Sequence, residues 1–245
     1  MYELYKEADH KQMITIKRPE GMAKDSFKKW WFDHAMKLKS LPGLKWYTVL
    51  FSLETSPFGP PAFDGFEELW FGSMKELKDA YNTYIMQNEL ENIRKHGFDV
   101  PALFQAAWLV ENIVTMKGYN RIPDKEGMVR LTGICKLPPT MQKKDLKDWF
   151  YQHADRVIND EGYMIVPGIR WYTHSFTIDH SPFGPAPFYG VGENWWDNLE
   201  AMKEDFDGEI MKSQLDDREE AIDTVDPSYF QGIWADEYII DIPRA

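Results

Sequence analysis

The pentapeptide SPFGP stands at Ser56–Pro60 and again, letter for letter, at Ser181–Pro185, 125 positions further on. Its prolines fix φ and its glycine admits a left-handed turn, so the string specifies a stiff bend that displays one phenylalanine. Chance does not place such a string twice in 245 residues, and the flanking sequence repeats with it. Upstream, LPGLKWYT (Leu41–Thr48) matches VPGIRWYT (Val166–Thr173) at the same spacing. Further back, FKKWWFDHA (Phe27–Ala35) matches LKDWFYQHA (Leu146–Ala154) at a spacing of 119, so the second half carries six extra residues before its PG. Downstream, FDGFEELWFGSMKEL (Phe63–Leu77) matches FYGVGENWWDNLEAM (Phe188–Met202), and WLVENIV from Trp108 pairs with WADEYII from Trp234. The blocks keep their order, which marks a tandem duplication. A first repeat spans 1–116, a polar Gly- and Pro-bearing linker 117–127, and a second repeat 128–245.

Within each repeat the hydrophobic period changes in a fixed sequence. A short apolar run (MITIK; VRLTGICKL) reads as a strand. A helix follows, with N-cap candidates Asp25 and Thr140 and an apolar stripe Phe27, Trp30, Trp31, His34 or Leu146, Trp149, Phe150, His153. A second strand comes after PG and a third after Gly65 or Gly190; a longer charged helix, about Ser73–Ile93 and Asn198–Glu219, precedes a last strand at Trp108 or Trp234. The order β-α-β-β-α-β is a ferredoxin-like unit, whose helices cover one face of its sheet and leave the other in need of a partner. The expected fold is α+β: two such repeats pack their sheets face to face as one intrachain barrel.

With 43% hydrophobic and 15% aromatic residues the chain can bury a large core, while a formal charge of −12 repels phosphate backbones and anionic membranes. Nucleic acid and membrane partners are therefore excluded, and a charged N-terminus with no apolar run suggests a cytoplasmic protein. Cys135 is the only cysteine, which leaves no internal disulfide or thiolate zinc cluster; it reads as a core residue.

The blocks F-x-x-W-x-x-x-H-A (with Leu146 at its first position in the second repeat), P-G-[LI]-[KR]-W-Y and [DY]-G-x-x-E-x-W-[FW], once per repeat, resemble the EthD family of the dimeric α+β barrel superfamily. That resemblance implies a small-molecule protein; relatives of this kind include lactone isomerases, polyketide cyclases and dehydratases, cofactor-free oxygenases and heme barrels. The SPFGP insert, the six extra residues of the second repeat and Tyr189 in place of Asp64 depart from the family pattern.

Candidate chemistry gathers on the helix histidines and the strand after PG. His34 and His153 lie on aromatic stripes, where an imidazole serves either as a core residue or as a general base. Arg170, Tyr172 and His174 share one face of their strand, opposite Lys45, Tyr47 and Val49 in the first repeat; His180 stands where the first repeat has Thr55. The resemblance implies that a pocket His and Tyr handle a proton, His153 with Tyr172 or His34 with Tyr47. Glu68 and Glu193, on a face shared with rings, are expected to orient the helix histidine. No metal-ligand spacing or phosphate loop is present, so no cofactor is expected. The resulting expectation is a cofactor-independent lyase, dehydratase or isomerase acting on a small hydrophobic, aromatic or polyketide-like carbonyl compound. Its working pocket is expected in the second repeat: His153 as base, Tyr172 as proton donor, Arg170 or His174 steadying negative charge, Glu193 orienting the base. The competing readings are a non-catalytic carrier and a heme-binding barrel, and the duplicated chain could itself pair as a homodimer.

Overall fold

The computed structural model describes residues 5–98, 103–114, 127–178, 181–218 and 227–242. The first repeat contributes β1 (Tyr5–Ile16), α1 (Lys24–Leu38), β2 (Leu44–Ser52), β3 (Gly65–Phe71), α2 (Met74–Tyr81), α3 (Tyr84–Lys95) and β4 (Phe104–Val114). The second contributes β5 (Val129–Cys135), α4 (Lys143–Asp155), β6 (Ile169–Thr177), β7 (Gly190–Trp196), α5 (Leu199–Asp207), α6 (Glu209–Arg218) and β8 (Phe230–Ile239). The expected linker lies outside the described residues except for Gly127, as does His180.

The eight strands close in the order β1-β3-β2-β8-β5-β7-β6-β4, a barrel of antiparallel neighbours. Closure goes beyond two sheets facing each other. The repeats are hydrogen-bonded edge to edge along two seams, β2 with β8 (Leu50 opposite Glu237) and β4 with β6 (Glu111 opposite Ser175). Each ferredoxin-like sheet would otherwise expose two edges of unpaired amides; here each repeat's edges satisfy the other's.

The charged helix expected after the third strand is two helices in each repeat. Ser73 and Asn198 cap α2 and α5 as their side chains accept from Glu76 and Ala201 amides. The breaks fall at Asn82–Thr83, where Thr83 caps α3, and at Gly208. The first helices start differently from expectation: Ala23 and Gln142 hold the N-cap positions instead of Asp25 and Thr140, and Gln142 forms a capping box with Asp145.

Alternation along the strands sorts side chains into two environments. Outward residues such as Ile14, Tyr47, Val49 and Leu69 meet the helices, as do Leu131, Tyr172 and Trp196 in the second repeat. Inward residues such as Met13, Leu50, Phe66, Leu109, Val191 and Ile233 fill the barrel. No helix among the described residues is long and apolar enough to cross a membrane.

The SPFGP turns explain their own recurrence. In each, the serine carbonyl accepts from the glycine amide (Gly59 to Ser56, 3.2 Å; Gly184 to Ser181, 3.3 Å), and the serine hydroxyl accepts from the phenylalanine amide. Gly59 and Gly184 sit at φ 85° and 88°, where a side chain would be strained. The displayed phenylalanine then crosses to the opposite repeat. Phe58 packs against Phe206 and Phe230, centroids 6.0 and 5.8 Å away, and its ring lies where a Cβ on Gly232 would stand. Phe183 packs against Tyr81 and Phe104 of the first repeat, at 5.7 and 6.4 Å.

Candidate functional site

The duplication presents the same helix–sheet position twice, between the first helix of a repeat and its sheet, and the two copies have diverged. In the first repeat the space is filled by a polar chain. Tyr47 donates to Glu67 (2.8 Å), the His34 Nε2 lies 3.4 Å from the same carboxylate, and the His34 Nδ1 lies 3.1 Å from Glu89. Glu89 also accepts from Lys37 and Asn92, both at 3.1 Å. Burial alone would lower the His34 pKa, but the flanking Glu67 and Glu89 carboxylates outweigh it and raise it to about 9. Glu89, despite burial, is held down at about 2 by His34, Lys37 and Asn92. His34 is thus an imidazolium clamped between two carboxylates, with no lone pair to offer as a base.

In the second repeat Gly192 replaces Glu67 and His174 replaces Val49. A Cβ on Gly192 would stand 3.3 Å from the Phe150 ring and 3.7 Å from His174, so glycine leaves room for both. The Tyr172 hydroxyl now meets the His174 Nε2 at 2.9 Å. Burial, with the neighbouring His153 adding to it, drives the His174 pKa well below the usual imidazole value, so this histidine is neutral. Burial also pushes the Tyr172 phenol up, keeping it protonated. His153 is half-buried and stacked on Trp149, centroids 4.9 Å apart.

His153, Tyr172, Asn194 and Gln214 line a cavity of about 60 Å³ whose walls include Leu131, Trp149, Ile169, Met211 and Phe230, and Phe58 of the other repeat closes it. Pockets for drug-sized ligands run to roughly 300–1,000 Å³. Entry of a larger molecule would require Phe58 or α6 to move. As it stands this cavity does not hold a porphyrin either, and His34 is committed to its carboxylates.

Two expected contacts are not made. Glu68 and Glu193 do not reach the helix histidines, because their strand face turns into the barrel. There Lys11 bridges Glu68 (2.7 Å) and Glu193, while Arg130 meets Glu68 (2.6 Å), Glu193 (3.1 Å) and Glu237 (3.5 Å). The duplication is visible in this cluster too. Trp70 donates to Glu111 (3.1 Å) beneath Lys11, and Trp195 donates to Glu237 (2.9 Å) beneath Arg130. All of these side chains are buried. Arg170 does not face the Tyr172 hydroxyl: it is held at the strand end by Asp197 and the Pro167 carbonyl, both at 2.8 Å. The carboxylates that do serve a helix histidine, Glu67 and Glu89, escaped sequence reasoning. The EE pair at Glu67–Glu68 was the available signal, since adjacent strand residues face opposite ways. Phe58 escaped it as well, because nothing local says that its ring crosses to the other repeat.

The sequence matches no protein-family model and no curated protein. Among solved structures, the chain is similar to an anthrone oxidase-like protein (TM-score 0.59, 10% identity, covering 96% of this chain and 92% of that one). It is also similar to a candidate monooxygenase from Lactobacillus acidophilus NCFM (TM-score 0.54, 11% identity, 96% and 100% covered). A candidate chlorite dismutase aligns as well (TM-score 0.50, 11% identity, 96% of each chain). The fold is that of the dimeric α+β barrels, with both halves supplied by one chain.

Proposed function

We propose that this chain is an EthD-like, cofactor-independent enzyme that moves a proton on a small hydrophobic carbonyl compound, aromatic or polyketide-like, in a lyase, dehydratase or isomerase reaction. The observation that carries the reading is the Tyr172–His174 pair beside His153 in a largely apolar cavity, where the first-repeat counterpart His34 is locked between two carboxylates and Tyr47 donates to one of them. With its proton on Nε2, neutral His174 donates to the Tyr172 oxygen and leaves the phenol O–H for the substrate carbonyl. His153 at the cavity wall takes the proton next to that carbonyl, and the Tyr172 hydroxyl, with the Asn194 amide nearby, steadies the enolate oxygen. Phe58 and the surrounding rings exclude water from the closed pocket.

The likeness to an anthrone oxidase-like protein favours a second outcome of the same deprotonation, attack of the carbanion on dioxygen. The test is turnover of a panel of hydroxylated aromatic ketones and anthrones, followed by absorbance, product mass and an oxygen electrode. Turnover without oxygen uptake that falls roughly 10²- to 10⁴-fold in both His153→Ala and Tyr172→Phe supports the proposal. Stoichiometric oxygen uptake moves the reaction to the oxidative branch, and saturable binding without turnover makes the protein a carrier.

A further inference from the structure

A second, larger cleft of about 1,020 Å³ lies away from the histidines, across the β4–β6 seam and under the second SPFGP turn. Tyr81 and Trp108 of the first repeat form one part of its wall, and Lys136, Leu137, Tyr189 and Tyr229 of the second form another. Comparison of the repeats shows what differs at this place. At the counterpart position of the first repeat, Asp64 accepts from the Arg18 Nε (2.7 Å) and the Arg18 amide (2.8 Å), tying the strand end to the loop. In the second repeat this ion pair has become Leu137 and Tyr189: both charges are gone and two apolar surfaces stand in their place. The Lys136 side chain, half-buried at the cleft, has no acidic partner among the described residues. The Lys143 ammonium lies 5.7 Å over the Tyr189 ring. In a chain of net charge −12, a lysine-bearing cleft walled by rings selects a particular chemistry: rings offer stacking surfaces, and the ammonium offers charge.

We infer that this cleft is a second ligand site, distinct from the His153 cavity, that takes a flat aromatic molecule bearing one anionic group, with the ring stacked among Tyr81, Tyr189 and Tyr229 and the anion at Lys136. The test uses the full chain and two fluorescent probes of matched shape, anionic 1-anilinonaphthalene-8-sulfonate and uncharged N-phenyl-1-naphthylamine, with quenching of Trp108 as a second readout. The anionic probe binds at one saturable site, quenches tryptophan emission less in Trp108→Phe, and binds roughly tenfold more weakly in Lys136→Gln, while the uncharged probe is unaffected by that change. Restoring the first repeat's ion pair with Leu137→Arg and Tyr189→Asp together closes the cleft and weakens both probes. Should the double variant not fold, the Lys136→Gln comparison decides alone. Unchanged binding of the anionic probe in Lys136→Gln, or loss of binding in His153→Ala with none in the cleft variants, overturns the assignment.

Discussion

His34 and His153 occupy the same place in two copies of one motif, and their neighbours set them in different surroundings. His34 is charged and holds two buried carboxylates apart. Removing it leaves Glu67 and Glu89 buried without their shared cation, so His34→Ala is expected to cost on the order of 3–5 kcal/mol in urea unfolding. His153→Ala, at a half-buried position beside a cavity, is expected to cost under about 1.5 kcal/mol in the same experiment while abolishing most turnover. Equal stability losses would show that the two histidines do the same structural work. The glutamates carry a residue-scale lesson. Sequence alternation correctly put Glu68 and Glu193 on a face with Trp70 and Trp195, but which face turns inward is set by closure of the whole sheet. The carboxylate for His34 was one residue away, at Glu67.

At the scale of elements, the SPFGP turn is a strut between repeats. Phe58 caps the second repeat's cavity and rests on Gly232, whose first-repeat counterpart is Ala106. Gly232→Ala places a Cβ about where the Phe58 ring lies and forces the ring outward; Phe58→Ala removes it. Hydrogen exchange is expected to speed up in both variants across the 53–62 loop and α6, with the β5–β7 ladder unchanged. Protection that stays as in the parent protein would mean that Phe58 does not hold this pocket shut. Strand and helix order, the shared face of Tyr172 and His174 and the duplication itself were legible, because period and repetition are local signals. The seams β2–β8 and β4–β6, the helix breaks at Thr83 and Gly208 and the crossing of Phe58 were not. They depend on residues far apart in the chain, or on short polar stretches that still read as helix. The tying of Arg170 to Asp197 belongs to the same class: the register shift between Ile169 and Trp171 breaks the alternation there, and Ile169 lines the cavity beside Tyr172 in place of the arginine.

At the scale of the molecule, the barrel interior couples the two repeats to pH. Glu111 and Glu237 are raised to about 7, chiefly by burial and partly by the other carboxylates, with Lys11 and Arg130 pulling the other way. Between about pH 4.3 and 7 the folded chain keeps protons there that the unfolded chain has lost, so stability falls as pH rises through that window. His34 extends the decline, since its stabilisation is complete below about 6.5 and is lost as pH climbs through about 9. Glu89, at about 2, acts at the other end: its contribution is present above about 4.3 and disappears on acidification. His174, kept neutral by burial, acts against the decline, since its contribution grows as pH rises to about 6.5. The two raised carboxylates outweigh it, so unfolding free energy should peak near pH 5, and Glu111→Gln with Glu237→Gln should flatten its fall between about pH 5 and 7. A parent protein whose stability rises over that interval would contradict the protonated carboxylates. In the proposed division, duplication left the first repeat's position as scaffold and kept the second repeat's cavity for chemistry. Nitrogen-15 NMR of histidine-labelled protein, titrated across about pH 5 to 9 and assigned with His34→Gln and His174→Gln, reads it directly. The expected result is a His34 ring that stays imidazolium until about pH 9 and a His174 ring that is neutral throughout. Both rings titrating together near the ordinary imidazole value would contradict it.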